Sequence, residues 1–143
     1  RNLGYEPFDK SFNGEYLFRK FKKINSSIKN NIMNQKLVVG VGNIYASESL
    51  FDAKIKPLRK ASNLSRKECD RLAKSIKKIL LTAIKEGGTT IKDFFSADGN
   101  KGYFKIKLMV YGRDGKLCKV CQTTIKKVVI GSRSSFFCPK CQN

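Results

Sequence analysis

The chain has 143 residues with 30 Lys and Arg against 11 Asp and Glu, giving a formal charge of +19 and a pI near 10.0. That length makes one ordinary domain or two small ones, and so much like charge points to a polyanionic partner, nucleic acid first and an anionic membrane surface second. The absence of histidine excludes Ser-His and Cys-His nucleophile pairs and any zinc site with an imidazole ligand, while no apolar run reaches the roughly 20 residues of a bilayer span or has a signal-peptide pattern.

Residues 1–10, "RNLGYEPFDK", contain Gly and Pro and show no helical period, so they read as a linker into a helical part. The first residue is Arg1 and not Met, which suggests a processed chain or a piece of a longer one. Phe18, Phe21 and Ile24 fall near helical spacing and predict a first helix. A second is predicted from Ser27, with Ile28, Ile32 and Met33 on one face, running to about Val39. A third is expected from Asn43, carrying Ile44, Ala46, Leu50 and Phe51, before Pro57 ends the region.

The clearest helix covers 65–86. Ser65 and Glu68 form a capping box, Leu64 and Cys69 take the flanking staple positions, and Gly87-Gly88 stops it. Leu72, Ala73, Ile76, Ile79, Leu80, Ala83 and Ile84 make its apolar stripe, opposite a face of Lys and Arg. A short helix is expected at 89–95, then a Gly-rich loop, "SADGNKGYF". Alternation in "FKIKLMVYG", "TTIKKVVIG" and "SSFFC" predicts strands. The expected fold is mainly α with a small β-hairpin zinc module, divided as a helical part at 11–110 and the module at 111–143.

Five cysteines, an odd number, with four in paired spacing argue for a metal and a reducing compartment and not for a disulfide framework. Cys118-x-x-Cys121 and Cys138-x-x-Cys141, sixteen residues apart, fit a four-cysteine structural Zn²⁺ site with no open position for chemistry. In so small a module the metal would supply much of the folding free energy. Cys69 occupies an apolar helix position and reads as core packing. The hairpin between the pairs carries Lys126, Lys127 and Arg133. Gly131-Ser132-Arg133-Ser134 should form its turn and present Arg133 outward, either as a bidentate phosphate ligand or as a solvated loop arginine.

The stretch "LVVGVGNIYASESLF" at 37–51 turns sharply between two apolar runs. Gly40 and Gly42 relax the backbone, and Asn43 is a good N-cap for the helix that follows. Such a helix start, with little side-chain cover, suits a DNA phosphate held by backbone N–H groups and the Asn43 amide. An ordinary helix-helix corner explains the pattern equally well.

Taken together, "QKLVVGVGNIYASESLF", "EGGTTIKDF", "DGNKGYF", "VYGRDGKLCKVC" and "GSRSSFFCPKCQ" resemble, in order, the helix-two-turns-helix segment, lesion-facing loop and zinc finger of the formamidopyrimidine-DNA glycosylase family. The resemblance covers nearly all 143 residues. It implies base-excision repair of double-stranded DNA carrying oxidised purines (8-oxoguanine, formamidopyrimidine) or abasic sites. In that family a flipped base is removed, and an N-terminal proline amine forms a Schiff base that leads to β- and δ-elimination. The resemblance assigns Gly42, Asn43 and Arg133 to phosphates beside the lesion, with Arg133 also assisting δ-elimination, and places Lys36 near the strand. Lys92 and the 96–104 loop, with Ser96, Asp98, Gly99, Gly102, Tyr103 and Phe104, are assigned to the flipped base. Where the family often has a basic contact before the second helix this chain has Asn25, with Lys22 and Lys23 adjacent.

The family's Pro-Glu nucleophile domain matches none of these residues. The expectation is therefore a DNA-gripping C-terminal portion, inactive alone, whose partners are damaged DNA and a separate catalytic domain. A monomer at the nucleoid of a bacterial cytoplasm is implied. A stand-alone, non-catalytic DNA-binding zinc module is the alternative, and an RNA-binding zinc-ribbon protein a third.

Overall fold

A computed structural model describes residues 3–87, 90–95 and 107–143. The linker ends in an extended stretch that lies beside residues 35–39. Tyr5 bridges Val38 in parallel, and the Val39 N–H donates to the Tyr5 carbonyl at 3.0 Å. Helix α1 (Gly14–Phe21) then starts at Asn13, whose side chain accepts the Tyr16 N–H.

Helix α2 (Ile28–Ile32) is capped by Ser27 and is much shorter than the run to Val39 expected from its apolar face. A local turn and a tertiary pairing end it. The Asn34 side chain accepts the Lys36 N–H while its carbonyl accepts those of Leu37 and Val38, a turn that competes with the helical ladder. Val38 and Val39 then pair with Tyr5 of the linker through the backbone, while the Leu37 and Val38 side chains enter the main core.

Helix α3 (Asn43–Ala53) has Gly42 at its cap position, and Asn43 is its first helical residue. The expected Asn43 cap is therefore not made, because the Asn43 amide is drawn into a tertiary contact described below. Lys54, in the left-handed conformation, closes the helix by donating its N–H to Leu50 and Phe51 carbonyls.

Helix α4 (Arg66–Glu86) has the predicted bounds and both bonds of its capping box. Glu68 N–H donates to Ser65 Oγ at 3.1 Å, and Ser65 N–H to Glu68 Oε1 at 2.9 Å. Such a cap is worth about 1 kcal/mol. Arg59 forks onto both Glu68 oxygens at 2.9 and 3.0 Å, and that hydrogen-bonded pairing holds the carboxyl below its usual range. Helix α5 (Ile91–Phe95) follows. Its Phe94 ring lies against Tyr45 and its Phe95 ring against Phe8.

Strands β1 (Lys126–Ile130) and β2 (Arg133–Phe137) form an antiparallel hairpin that closes with Ile130 opposite Arg133. The turn is Gly131-Ser132, both with φ near +60°, as a two-residue hairpin loop needs. Arg133 thus opens β2 and does not sit inside the turn as expected. The alternation in "FKIKLMVYG" makes no strand over its described part, 107–112, which bends and turns. Residues 104–106 lie outside the described residues.

The main core packs α1, α3 and α4 around Phe12, Leu17, Phe21, Leu50, Leu72, Ile76 and Leu80. A second cluster joins Val110, Ile125 and Phe136 to Cys118 and Cys138, and it includes Phe51 from α3. Burying a residue such as Phe51 contributes about 2–3 kcal/mol, so the helical part completes the zinc module's core.

Candidate functional site

The four sulfurs of Cys118, Cys121, Cys138 and Cys141 lie within 4.8 Å of one another. Cys121 and Cys138 are 3.4 Å apart and Cys118 and Cys141 3.9 Å. A tetrahedron with Zn–S bonds of about 2.3 Å has edges of about 3.8 Å, so the donor set fits one structural zinc ion. Backbone N–H groups of Val120 and Cys141 point at Cys118 Sγ and Cys138 Sγ at 3.4 and 3.3 Å. Hydrogen bonds from Thr123 draw Cys121 down to about 6, while burial and the neighbouring sulfurs push Cys141 up to about 12. A bound divalent cation would favour the thiolate form of both. Cys69 stands apart in the main core, pushed up to about 12 by burial, as a packing residue would be.

Two further clasps hold the module on the helices. The carboxylate of Glu48, buried on α3, accepts the N–H groups of Met109, Val110 and Tyr111 at 2.8, 2.9 and 2.9 Å. At the other end, Gln142 Nε2 donates to the Ile55 carbonyl at 2.8 Å, and Asn143 exchanges backbone hydrogen bonds with Lys54 and Lys56. Neither role is written in local sequence, since each partner lies more than fifty residues away.

Between these clasps the hairpin meets the helix corner. Asn43 Nδ2 donates to the Ser134 carbonyl at 3.0 Å, using one of its two amide hydrogens. Its Oδ1 accepts from Lys29 Nζ, which also reaches the Ser134 carbonyl at 3.4 Å. Lys29 has no solvent exposure at all. Burial, with the Arg133 guanidinium second, lowers its pKa to about 8. The turn glycine, Gly131, packs so tightly on the Asn30 side chain that a Cβ would come within 2.9 Å of it.

The first helical bond of α3 is Ala46 N–H to Gly42 carbonyl, so the Asn43 and Ile44 N–H groups precede the ladder. Gly42 is exposed, and a Cβ there would meet nothing within 4 Å. The structure therefore brings Gly42, Asn43 and Arg133 into one neighbourhood, with Arg133 exposed beside Ser134.

The other residues singled out from sequence are dispersed. Lys36 lines a cleft of about 310 Å³ with Tyr5, Tyr16, Arg19 and Lys20. Lys22, set over the Phe18 ring, and Lys23 are exposed on the α1–α2 link. Asn25 there accepts the Ser62 hydroxyl at 3.1 Å, so it ties that link to residues 57–62. Lys92 is exposed on α5, and Ser96, Asp98, Gly99, Gly102, Tyr103 and Phe104 lie outside the described residues. Lys29 was not singled out from sequence. A lysine between Ile28 and Asn30 reads as a solvated cation, and only its position next to the buried face of a five-residue helix hinted otherwise.

Residues 3–95 match the family described as the formamidopyrimidine-DNA glycosylase H2TH domain, and residues 115–143 match the zinc finger found in FPG and IleRS. The second description spans two kinds of protein, so the helical match carries the assignment. A formamidopyrimidine-DNA glycosylase of Thioalkalivibrio sulfidiphilus is 52% identical over 140 residues, which are 98% of this chain and 52% of that protein. The Lactococcus lactis protein in complex with abasic-site DNA superposes with a TM-score of 0.84 at 37% identity, covering 99% of this chain and 52% of that one. A related protein bound to DNA containing carbocyclic 8-oxo-G superposes equally well, at 0.84 and 36% identity, over 99% of this chain and 51% of its own. The chain thus spans about half the length of the relatives it matches. With its helical region matched over well more than half of its residues and its four-cysteine hairpin matched as well, the chain belongs to the formamidopyrimidine-DNA glycosylase family.

Proposed function

We propose that this chain is the DNA-gripping portion of a base-excision repair glycosylase and AP lyase acting on oxidised purines and abasic sites in double-stranded DNA. The observation that supports it most is the hydrogen bond from Asn43 to the Ser134 carbonyl, which fastens the start of α3 to the strand that carries Arg133. One phosphate near this junction would take the remaining Asn43 amide hydrogen, backbone N–H groups at the start of α3 and a charge-assisted fork from Arg133. A guanidinium there would also stabilise the phosphate expelled in δ-elimination, as preorganised donors do for any developing anion.

Lys36, Lys22 and Lys23 would add weaker contacts along the strand, and Lys92 with the 96–104 loop would approach the flipped base. The relatives seen with abasic-site and 8-oxo-G DNA support these lesion classes. By the family resemblance, the amine nucleophile would lie outside the part of the relatives that this chain matches. Repair of chromosomal DNA would put the protein at the bacterial nucleoid, a reading supported by a four-cysteine zinc site suited to a reducing compartment.

Borohydride trapping on an abasic duplex and an 8-oxoguanine duplex tests this reading. Binding without a covalent adduct is expected. An adduct would relocate the Schiff-base amine into this chain, and failure to bind either duplex would overturn the proposal.

A further inference from the structure

Lys29 is the buried cation that nothing above employs. It lies on α2 and is fully shielded, and among the described residues no carboxylate forms an ion pair with it. α3 offers it only the Asn43 amide oxygen, and β2 offers the Ser134 carbonyl. Its backbone N–H donates to the Pro57 carbonyl at 3.3 Å. The charge that faces it is Arg133, which repels it. An ammonium shut in without a counter-anion is costly, so this one is poorly explained by folding alone. An anion arriving at Asn43 and Arg133 would supply the missing negative charge.

We infer that Lys29 is the positioning residue of the phosphate grip, holding the Asn43 amide and the Ser134 carbonyl together from beneath so that Asn43 and Arg133 present their donors to the same phosphate. This rests on the DNA-gripping function proposed above. The arrangement links DNA binding to a proton. Below pH 8 the ammonium is already present and binding is at full strength. As pH rises through about 8 the free protein loses that proton, whereas the phosphate-bound protein retains it. Affinity therefore falls with rising pH, by about tenfold between pH 7 and pH 9 if the bound form titrates well above 9. Folding responds with the opposite sign. The unfolded lysine titrates near 10.5, so the folded state binds fewer protons between about 8 and 10.5 and gains stability as pH rises. Weaker binding above pH 8 is then not unfolding in disguise.

The test is calorimetry of the 143-residue chain with an abasic duplex at pH 7 and pH 9, in buffers of different ionisation heat. Uptake approaching one proton per duplex at pH 9 and little at pH 7 is expected. Lys29→Met, of similar length and checked for zinc content and helix signal, should bind less tightly at pH 7 and lose this part of the pH dependence. Binding by the native chain with no proton uptake at pH 9 would overturn the inference and leave the DNA-gripping function standing. No binding at either pH would overturn both. If Lys29→Met does not fold, the native uptake decides the matter alone.

Discussion

At Gly40 the backbone has φ of 90° and an added Cβ would lie 2.3 Å from the Phe95 ring, so a side chain is barred both by conformation and by space. At Gly42 neither bar exists. Its φ of −82° and ψ of 177° suit any residue, and the space before it is open. The fold therefore explains Gly40 but not Gly42, and an open backbone face at a helix start is what close approach of a phosphate requires. Gly42→Ala should leave the thermal midpoint within about 3 °C of the native value, the small gain in unfolded-state order offsetting a slightly poorer cap. It should weaken duplex binding by about tenfold, on the order of 1.4 kcal/mol. Gly40→Ala should instead lower the midpoint markedly. Thermal melts and anisotropy titrations check both, and unchanged affinity in Gly42→Ala would remove the backbone from the grip.

The zinc hairpin and α3 depend on each other as elements. Phe51 completes the core beneath the cysteines, Glu48 holds residues 109–111, and Gln142 and Asn143 fasten the far knuckle to residues 54–56. Removing zinc should therefore release the hairpin while α1 and α4, packed on each other around Leu17 and Leu72, persist. Far-UV circular dichroism should retain most of its helical signal after chelation, while DNA affinity falls by at least tenfold, on the order of 1.4 kcal/mol or more, and returns with added zinc. Undiminished binding after proven metal loss would mean that the hairpin does not shape the grip. What sequence made legible was local: the Ser65–Glu68 capping box, the stripe of α4, and the two CxxC pairs flanking a hairpin. The short α2, the displaced cap role of Asn43 and the burial of Lys29 were not legible. The last two are decided by a partner far along the chain, the Ser134 carbonyl, 91 residues from Asn43 and 105 from Lys29, and the first by the Asn34 turn together with the pairing of Val38 and Val39 with the distant Tyr5. A backbone carbonyl leaves no mark in a side-chain pattern.

Over the whole molecule, a charge of +19 can act either as a diffuse attraction or through a few fixed contacts. Much of it lies outside the corner. Lys67, Lys74 and Lys85 are exposed on α4, which packs on α1 and α3, while β2 packs on α3. A grip built on Asn43, Arg133 and neighbouring lysines should neutralise roughly four to six phosphates, so log K should fall with log salt at a slope of about −4 to −5. Arg133→Ala should flatten that slope by about one unit and lower affinity at every salt concentration. Reversing Lys74 to Glu should change the slope little, because screening over a Debye length of about 8–10 Å isolates exposed charges that do not touch the strand. A slope steeper than about −10, equally sensitive to Lys74 and Arg133, would mean that the entire basic surface is in play and the corner is incidental. A flat dependence would remove phosphate contacts altogether. The intermediate slope, with its sensitivity concentrated at Arg133, requires both the general attraction of a basic chain and the fixed geometry that the zinc hairpin imposes on one helix start.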